Sequence, residues 1–161
     1  MKRIYQILLT GFIFAGIIAC ENETKVCDQT LRNDLHIHFK RDSANGTVIR
    51  DTIMPKVTAY ALTRDTIYKK QPLSDIYFQL SPVSDSSKFY LQVDSTAVAD
   101  TLTFRYSRVK HFISPGCGFG TYFNLDTVLT TKHTIGYIQI NNKSVTSSND
   151  THLLLYFIVP Q

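Results

Sequence analysis

The chain has 161 residues, 17 of them Lys or Arg and 13 Asp or Glu, with five His, three Cys and no Trp. That length supports one domain with a real core. The formal charge of +4 falls to +2 once Lys2 and Arg3 are set aside, which is no nucleic-acid footprint, and the only glutamates, Glu21 and Glu23, stand near the N-terminus.

A basic start, Lys2 and Arg3, precedes an apolar run from Ile4 to Ala19. As a full helix that run would span about 24 Å at 1.5 Å per residue, short of the ~30 Å hydrocarbon core of a bilayer. Tyr5, Gln6 and Thr10 dilute it further, so residues 1–19 read as a signal peptide. Ile17-Ile18-Ala19-Cys20 resembles the lipobox of a bacterial lipoprotein. The resemblance implies cleavage before Cys20, lipid attachment at its sulfur and new amino group, and a place in the cell envelope, at the outer membrane. One acyl chain holds a protein marginally, whereas two or more, at ~0.8 kcal/mol per buried methylene, hold it essentially permanently. Residues 20–26 then form the lipidated Cys and a polar tether reaching roughly 20 Å, and residues 27–161 the folded domain. Without lipid at Cys20 the protein would instead be secreted and soluble.

From Leu35 onward the dominant pattern is alternation. Leu35, Ile37 and Phe39 alternate with His36, His38 and Lys40; Ile76, Phe78 and Leu80 with Tyr77 and Gln79; Phe89, Leu91 and Val93 with Tyr90 and Gln92; Leu102, Phe104 and Tyr106 with Thr103 and Arg105. Period two predicts strands with one buried face. Between the first two of these runs, Asn45-Gly46 is the strongest hairpin signal, because both residues tolerate positive φ. Further β-rich stretches run from Thr121 to Leu125 and from Thr134 to Ile140, and Leu153 to Val159 is apolar almost throughout, as suits a strand central in its sheet. Some eight or nine short strands, with no helical period, predict an all-β single domain. Its expected form is an antiparallel β-sandwich, immunoglobulin-like or a related Greek key.

Lipidation of Cys20 leaves Cys27 and Cys117, and beyond the inner membrane such a remainder is ordinarily a disulfide. The alternative for Cys117 is a nucleophile, since His111 and His133 lie nearby in sequence and a Cys with a His is the minimal activated pair. No papain-like or caspase-like context surrounds it.

Cys27, the stretch from Leu73-Ser74 to Ser81-Pro82, Asp100-Thr101-Leu102-Thr103-Phe104 and Ser114-Pro115-Gly116-Cys117-Gly118-Phe119 together resemble a family of small Bacteroidota lipoproteins classed as a domain of unknown function. The resemblance implies a surface-anchored β domain with Cys27 and Cys117 as its bridge. It brings no activity and no cofactor.

Several constellations bear on function. His36 and His38, two apart on a strand, share a face and could supply two metal ligands, but no third is readable and two polar residues on a solvated face are the plainer account. Gly116-Cys117-Gly118-Phe119-Gly120 lacks the Lys-Ser/Thr and following helix of a phosphate loop, so a tight turn is expected. Asp42 to Gly46 fails as a calcium loop, because its twelfth position is Ile53. Tyr60, Tyr77 and Tyr90 fall on or near polar faces, where rings can stack on sugars or protein. Asp, then Ser or Thr, then Ala, Ile, Leu, Val, Met or Thr occurs six times, with hydroxyls at Ser43, Thr52, Thr66, Ser95, Thr101 and Thr127, where composition alone gives about 0.8 matches. The triplet is similar to the acceptor motif of the O-glycosylation system of Bacteroidota envelopes. Asp turns leading into β-branched strand starts would enrich it too. Where Ile53, Ile67, Leu102 or Val128 points inward, the hydroxyl before it is expected to face solvent.

The leading functional expectation is a non-catalytic binding or structural module, tethered to a membrane and offering loops or a sheet face to an envelope protein or glycan. The alternative is a small envelope hydrolase or metal-dependent enzyme using His36, His38 or Cys117, which would need a pocket with converging ionisable groups.

Overall fold

The computed structural model describes residues 32–43, 48–63 and 66–158. The expected signal peptide, Cys20 with its tether, Cys27 and the Asn45-Gly46 turn lie outside the described residues. Eleven strands and no helix occur among those described: β1 (Asp34–Ser43), β2 (Val48–Asp51), β3 (Met54–Ala61), β4 (Thr66–Leu73), β5 (Asp75–Gln79), β6 (Ser86–Gln92), β7 (Asp100–Ser114), β8 (Gly118–Thr130), β9 (Ile135–Ile140), β10 (Ser144–Val145) and β11 (Leu153–Ile158).

One sheet runs β2-β1-β11-β9, with β5 also paired to β1; the other runs β10-β8-β7-β6-β3-β4. β1 pairs with β2 through Lys40–Ser43 and with β5 through Asp34–His38, so two short strands share its length. The all-β, two-sheet expectation is what the structure shows. Strict antiparallel pairing is not, because β1 and β11 run parallel from Ile37↔Leu153 to Asp42↔Ile158. Side chains alternate identically in both kinds of ladder, so periodicity is blind to strand direction. A parallel pair needs a long crossover, and the whole chain between β1 and β11 supplies it.

The inward faces are the ones the alternation marks. Leu35, Ile37, Phe39, Ile76, Phe78, Leu153 and Leu155 of the first sheet meet Val57, Ala59, Phe89, Leu91, Leu102, Phe104 and Leu125 of the second, all at most 2 % exposed. Phe78 and Phe89 stack across the layers with centroids 4.0 Å apart. At roughly 1.5–3 kcal/mol per fully buried large apolar side chain, this layer carries the fold.

Where the chain changes sheet, buried polar groups hold the joints. Between β5 and β6, the Tyr106 hydroxyl accepts from Ser81 N–H (3.0 Å), donates to Ser81 C=O (3.1 Å) and meets Ser87 Oγ at 2.7 Å. Between β8 and β9, the Asp100 carboxylate, 1 % exposed, accepts from the N–H groups of His133, Thr134 and Ile135 and from the Thr131 hydroxyl, at 2.7–3.0 Å. Burial alone would raise the Asp100 pKa, but these hydrogen bonds outweigh it and hold it below the usual carboxylate value. Before β11, the buried His152 ring accepts the His36 N–H on Nδ1 at 3.0 Å. Burial lowers its pKa and keeps it neutral, against a smaller opposing hydrogen bond with the Ser144 backbone.

Candidate functional site

On the outer face of the first sheet, β1 lines up His36, His38 and Lys40, and its two flanking strands present carboxylates opposite them. His38 faces Asp75 across the β1–β5 ladder, and Lys40 faces Asp51 across β1–β2. Asp75 Oδ1 lies 2.9 Å from His36 Nε2 and 2.7 Å from His38 Nδ1, while Asp51 Oδ1 meets His38 Nε2 at 3.1 Å and also the Lys40 ammonium. Tyr77 stacks on His36 at 4.5 Å. Desolvation works to raise the Asp75 pKa, but hydrogen bonds from Ser74, His36 and His38 prevail and lower it; that of Asp51 is lowered by Lys40 and then His38. The expectation that His36 and His38 stand on a solvated face is corrected: His36 is 9 % exposed and the His38 side chain 20 %. Their polar neighbours come from β2 and β5, which the sequence of β1 does not announce.

This ladder staples three strands. The Ser74 hydroxyl donates to Asp75 Oδ2 at 2.7 Å rather than to an imidazole, so the nucleophile–base–orienter order of covalent catalysis is not formed. The Asp75 oxygen sits between the two imidazoles, where a shared metal would have to stand. Among the described residues no group of three or more His, Cys, Asp or Glu is arranged to hold a metal ion.

The second candidate is the distal half of the β7–β8 hairpin. Their register runs from Leu102↔Thr130 to Ser114↔Gly118, but every residue from Ser107 to Phe112 is exposed. From Val109↔Tyr122 outward, beyond the β10 pairing at Phe123 and Asn124, the hairpin is a two-stranded arm with exposed side chains on both faces. Pro115 presets the turn, the Cys117 N–H closes it onto Ser114 C=O at 3.2 Å, and Gly118 takes φ +68°, a left-handed value that suits glycine. Near this tip Phe112 and Phe119, 51 % and 70 % exposed, meet edge-on at 5.3 Å. On the opposite face His111 stacks on Tyr122 at 4.6 Å, and Ile113 crosses Gly120 so closely that a Cβ there would come within 2.7 Å of it. At the base, Arg108 is fixed by Asp85 (2.8 Å) and Pro82 C=O (3.0 Å), and Asn33 donates to Thr121 C=O at 2.7 Å. Cys117 is disulfide-bonded, which removes it as a nucleophile. His133 lies at the other end of β7, against Ala99 C=O at 2.9 Å.

A family model of unknown function matches residues 56–157, from within β3 to within β11. The chain belongs to family DUF6452. Neither the curated proteins nor the solved structures yield a match. The residues singled out in sequence for a family likeness fall at joints of this DUF6452 fold: Ser74 at Asp75, Ser81 at Tyr106, Asp100 under the β8–β9 crossover, and Ser114–Phe119 at the arm tip.

The three tyrosines read as lying on or near polar faces fall on different sheets of the DUF6452 domain. Tyr60 and Tyr90 stack on each other at 4.6 Å on the second sheet, while Tyr77 belongs to the first. An open groove of about 540 Å³ lies beside Tyr77, lined also by Arg32, Thr63 and Gln79. Among the triplet hydroxyl residues, Ser95 and Thr127 are exposed and Ser43, Thr52 and Thr101 half-buried; the Thr66 side chain is outside the described residues. Ile53 and Ile67 do not point inward, being 67 % and 44 % exposed, because one follows β2 in a connection and the other lies in edge strand β4. Leu102 is fully buried, as expected, and Val128 packs against the core.

Proposed function

We propose that this chain is a lipid-anchored, non-catalytic binding or structural module of a Bacteroidota-type cell envelope, attached through Cys20 to a membrane, the outer membrane in such cells, and needing no cofactor. The observation that carries the non-catalytic part is the β1 face: its ionisable side chains are hydrogen-bonded to one another across three strands. The partner is an envelope protein or glycan met by a sheet face or loop, with the stacked Tyr60–Tyr90 pair one such surface. The repeated changes of sheet support reading the two-sheet fold as immunoglobulin-like or a related Greek key. Cys27 is the proposed partner of Cys117. Asn33 touches Thr121, and six residues of extended chain at about 3.4 Å each reach from Asn33 to the arm tip.

The decisive test is fractionation of native cells with mass spectrometry of residue 20. Wild type should be membrane-bound and acylated at Cys20, and Cys20→Ser should be soluble; an unmodified Cys20 in a membrane-bound protein refutes the anchor. Complementation of a deletion strain separates the two functional classes. His36→Ala should still rescue, provided it folds, whereas loss of rescue by a folded His36→Ala would favour chemistry at that ladder.

A further inference from the structure

We propose that the tip of the β7–β8 arm is a second membrane contact, with Phe112 and Phe119 set into the interface between headgroups and acyl chains of the bilayer that holds the Cys20 lipid. The inference rests on the anchoring reading above. Its own support lies in the described arm and in how the anchor is joined to it.

Phe119 and Phe112 are among the more exposed large apolar side chains of the described chain, and they stand together beside the turn rather than scattered. Apolar surface is not confined to their side: Val109, 54 % exposed, and Ile113 lie on the opposite face with the His111–Tyr122 stack. A protein docking against one face of a two-stranded ribbon would leave the other wet. End-on entry into a bilayer surface covers both, and the aromatic rings suit the interfacial layer.

Geometry also favours the bilayer over a distant partner. Cys117 is in a disulfide, and with Cys20 acylated its partner is Cys27. Seven residue steps separate Cys20 from Cys27, at most about 25 Å of extended chain, so the tip is held close to the lipid whatever the rest of the domain does. Lys110, two residues back on the Phe112 face, can lay its aliphatic stem along the arm and reach the headgroups. Arg108 is already engaged by Asp85, so insertion rather than anionic attraction does the holding.

The chain contains no Trp, so a single introduced indole reports its own surroundings. Full-length acylated protein carrying Phe119→Trp is reconstituted in phosphatidylethanolamine–phosphatidylglycerol vesicles and compared with Val98→Trp, a residue 63 % exposed just before β7 at its opposite end. The expected result is a blue-shifted emission for Phe119→Trp that loses most of its intensity when the acyl chains are brominated near the headgroup. Val98→Trp should show neither change, and 0.5 M salt should not reverse the quenching. If both variants float with the vesicles but emit alike, the arm points away from the membrane and the proposal is overturned while the anchor survives. A blue shift without bromine quenching means that a second copy of the chain covers the tip, which also overturns it. If wild type fails to float and Cys20 is unacylated, the anchoring reading falls and takes this one with it.

Discussion

The two halves of the β7–β8 hairpin share one ladder and differ in almost everything else. Leu102, Phe104 and Leu125 in the proximal half are fully buried, and Tyr106 is 1 % exposed, whereas Val109, Phe112 and Phe119 in the distal half are more than half exposed. Backbone pairing extends through both, with one register shift at Arg105/Tyr106 and another at Phe112/Ser114. Hydrogen bonds therefore do not distinguish them, and the facing first sheet does: it covers the proximal half and stops. A two-stranded ribbon is marginal by itself, so the distal half depends on its rigid base and on the cross-link at its tip. That leaves its apolar side chains free for contact with something outside the domain.

Paired truncations break the comparison most sharply. Phe104→Ala should cost about 3–5 kcal/mol through lost burial and a cavity beside Phe78 and Phe89, and Phe112→Ala should stay within about 0.5 kcal/mol. Urea unfolding reads both midpoints, and similar losses would mean that the arm is packed against the domain after all. Asp100→Ala comes next. It strips the partner from three backbone N–H groups behind the β8–β9 crossover and should cost about 2–4 kcal/mol, since each buried donor left unsatisfied costs ~1–3 kcal/mol and some recover water. Asp100→Asn, which keeps one acceptor oxygen, should cost less.

Cys117→Ser tests the cross-link of the distal half. Loss of a native bridge typically removes about 2–4 kcal/mol, and the variant should show its largest increase in amide exchange between Ser107 and Tyr122 rather than in the proximal half. Non-reducing peptide mapping of wild type should join the Cys117 peptide to that of Cys27, and a free thiol at Cys27 would refute the pairing.

Acid should act on the proximal joints before the arm. The folded-state pKa of His152 lies below its ordinary 6.5, so the unfolded chain takes up a proton first and stability falls as pH drops below about 6.5. Asp100 and Asp75 have folded values below the ordinary 3.8, so their stabilisation is complete above that pH and lost as pH falls further. Denaturation midpoints should thus decline in two stages. A folded His152→Gln variant should lose the upper stage only, and an unchanged slope between pH 7 and 5 would show that another group sets it.

The proximal half was legible from sequence and the distal half was not, for one physical reason. Alternation records burial on one face, so Leu102-Phe104-Tyr106 and Phe89-Leu91-Val93 declare themselves, and the strand boundaries fade where burial ends. β3 and β4 were hidden for a related reason: register shifts between Met54 and Tyr60, and Lys70 at φ 50°, break the period. Phe112 and Phe119 did carry a signal, since they flank the Pro115-Gly116 turn almost symmetrically. The β1 ladder could be half seen. His36 and His38 share a face by simple spacing, but Asp75 and Asp51 come from strands 37 and 13 residues away from His38, and only topology brings them there.

The smallest expected effect on stability concerns the Asp-Ser/Thr triplets, and it sharpens the contrast between structural and available hydroxyls. We propose O-linked glycan on Thr127 and Ser95 in native cells, and none on Thr101. Thr127 is exposed beside Arg105 on the outer face while Val128 packs inward, and Ser95 sits at the apex of a turn whose Asp94 carboxylate is held by the Thr96 N–H and hydroxyl at 3.0 and 3.1 Å. Thr101, by contrast, is half-buried next to the Asp100 clamp, and its N–H is bonded to the Thr131 hydroxyl at 3.1 Å. A bulky sugar needs an open hydroxyl. Thr127→Ala and Ser95→Ala should therefore each change stability by less than about 0.5 kcal/mol yet each remove one glycan mass from the intact native protein. Thr101→Ala should leave that mass unchanged. A native mass equal to the lipidated polypeptide would reduce all six triplets to the turn and strand-entry chemistry that Asp94 and Asp100 display.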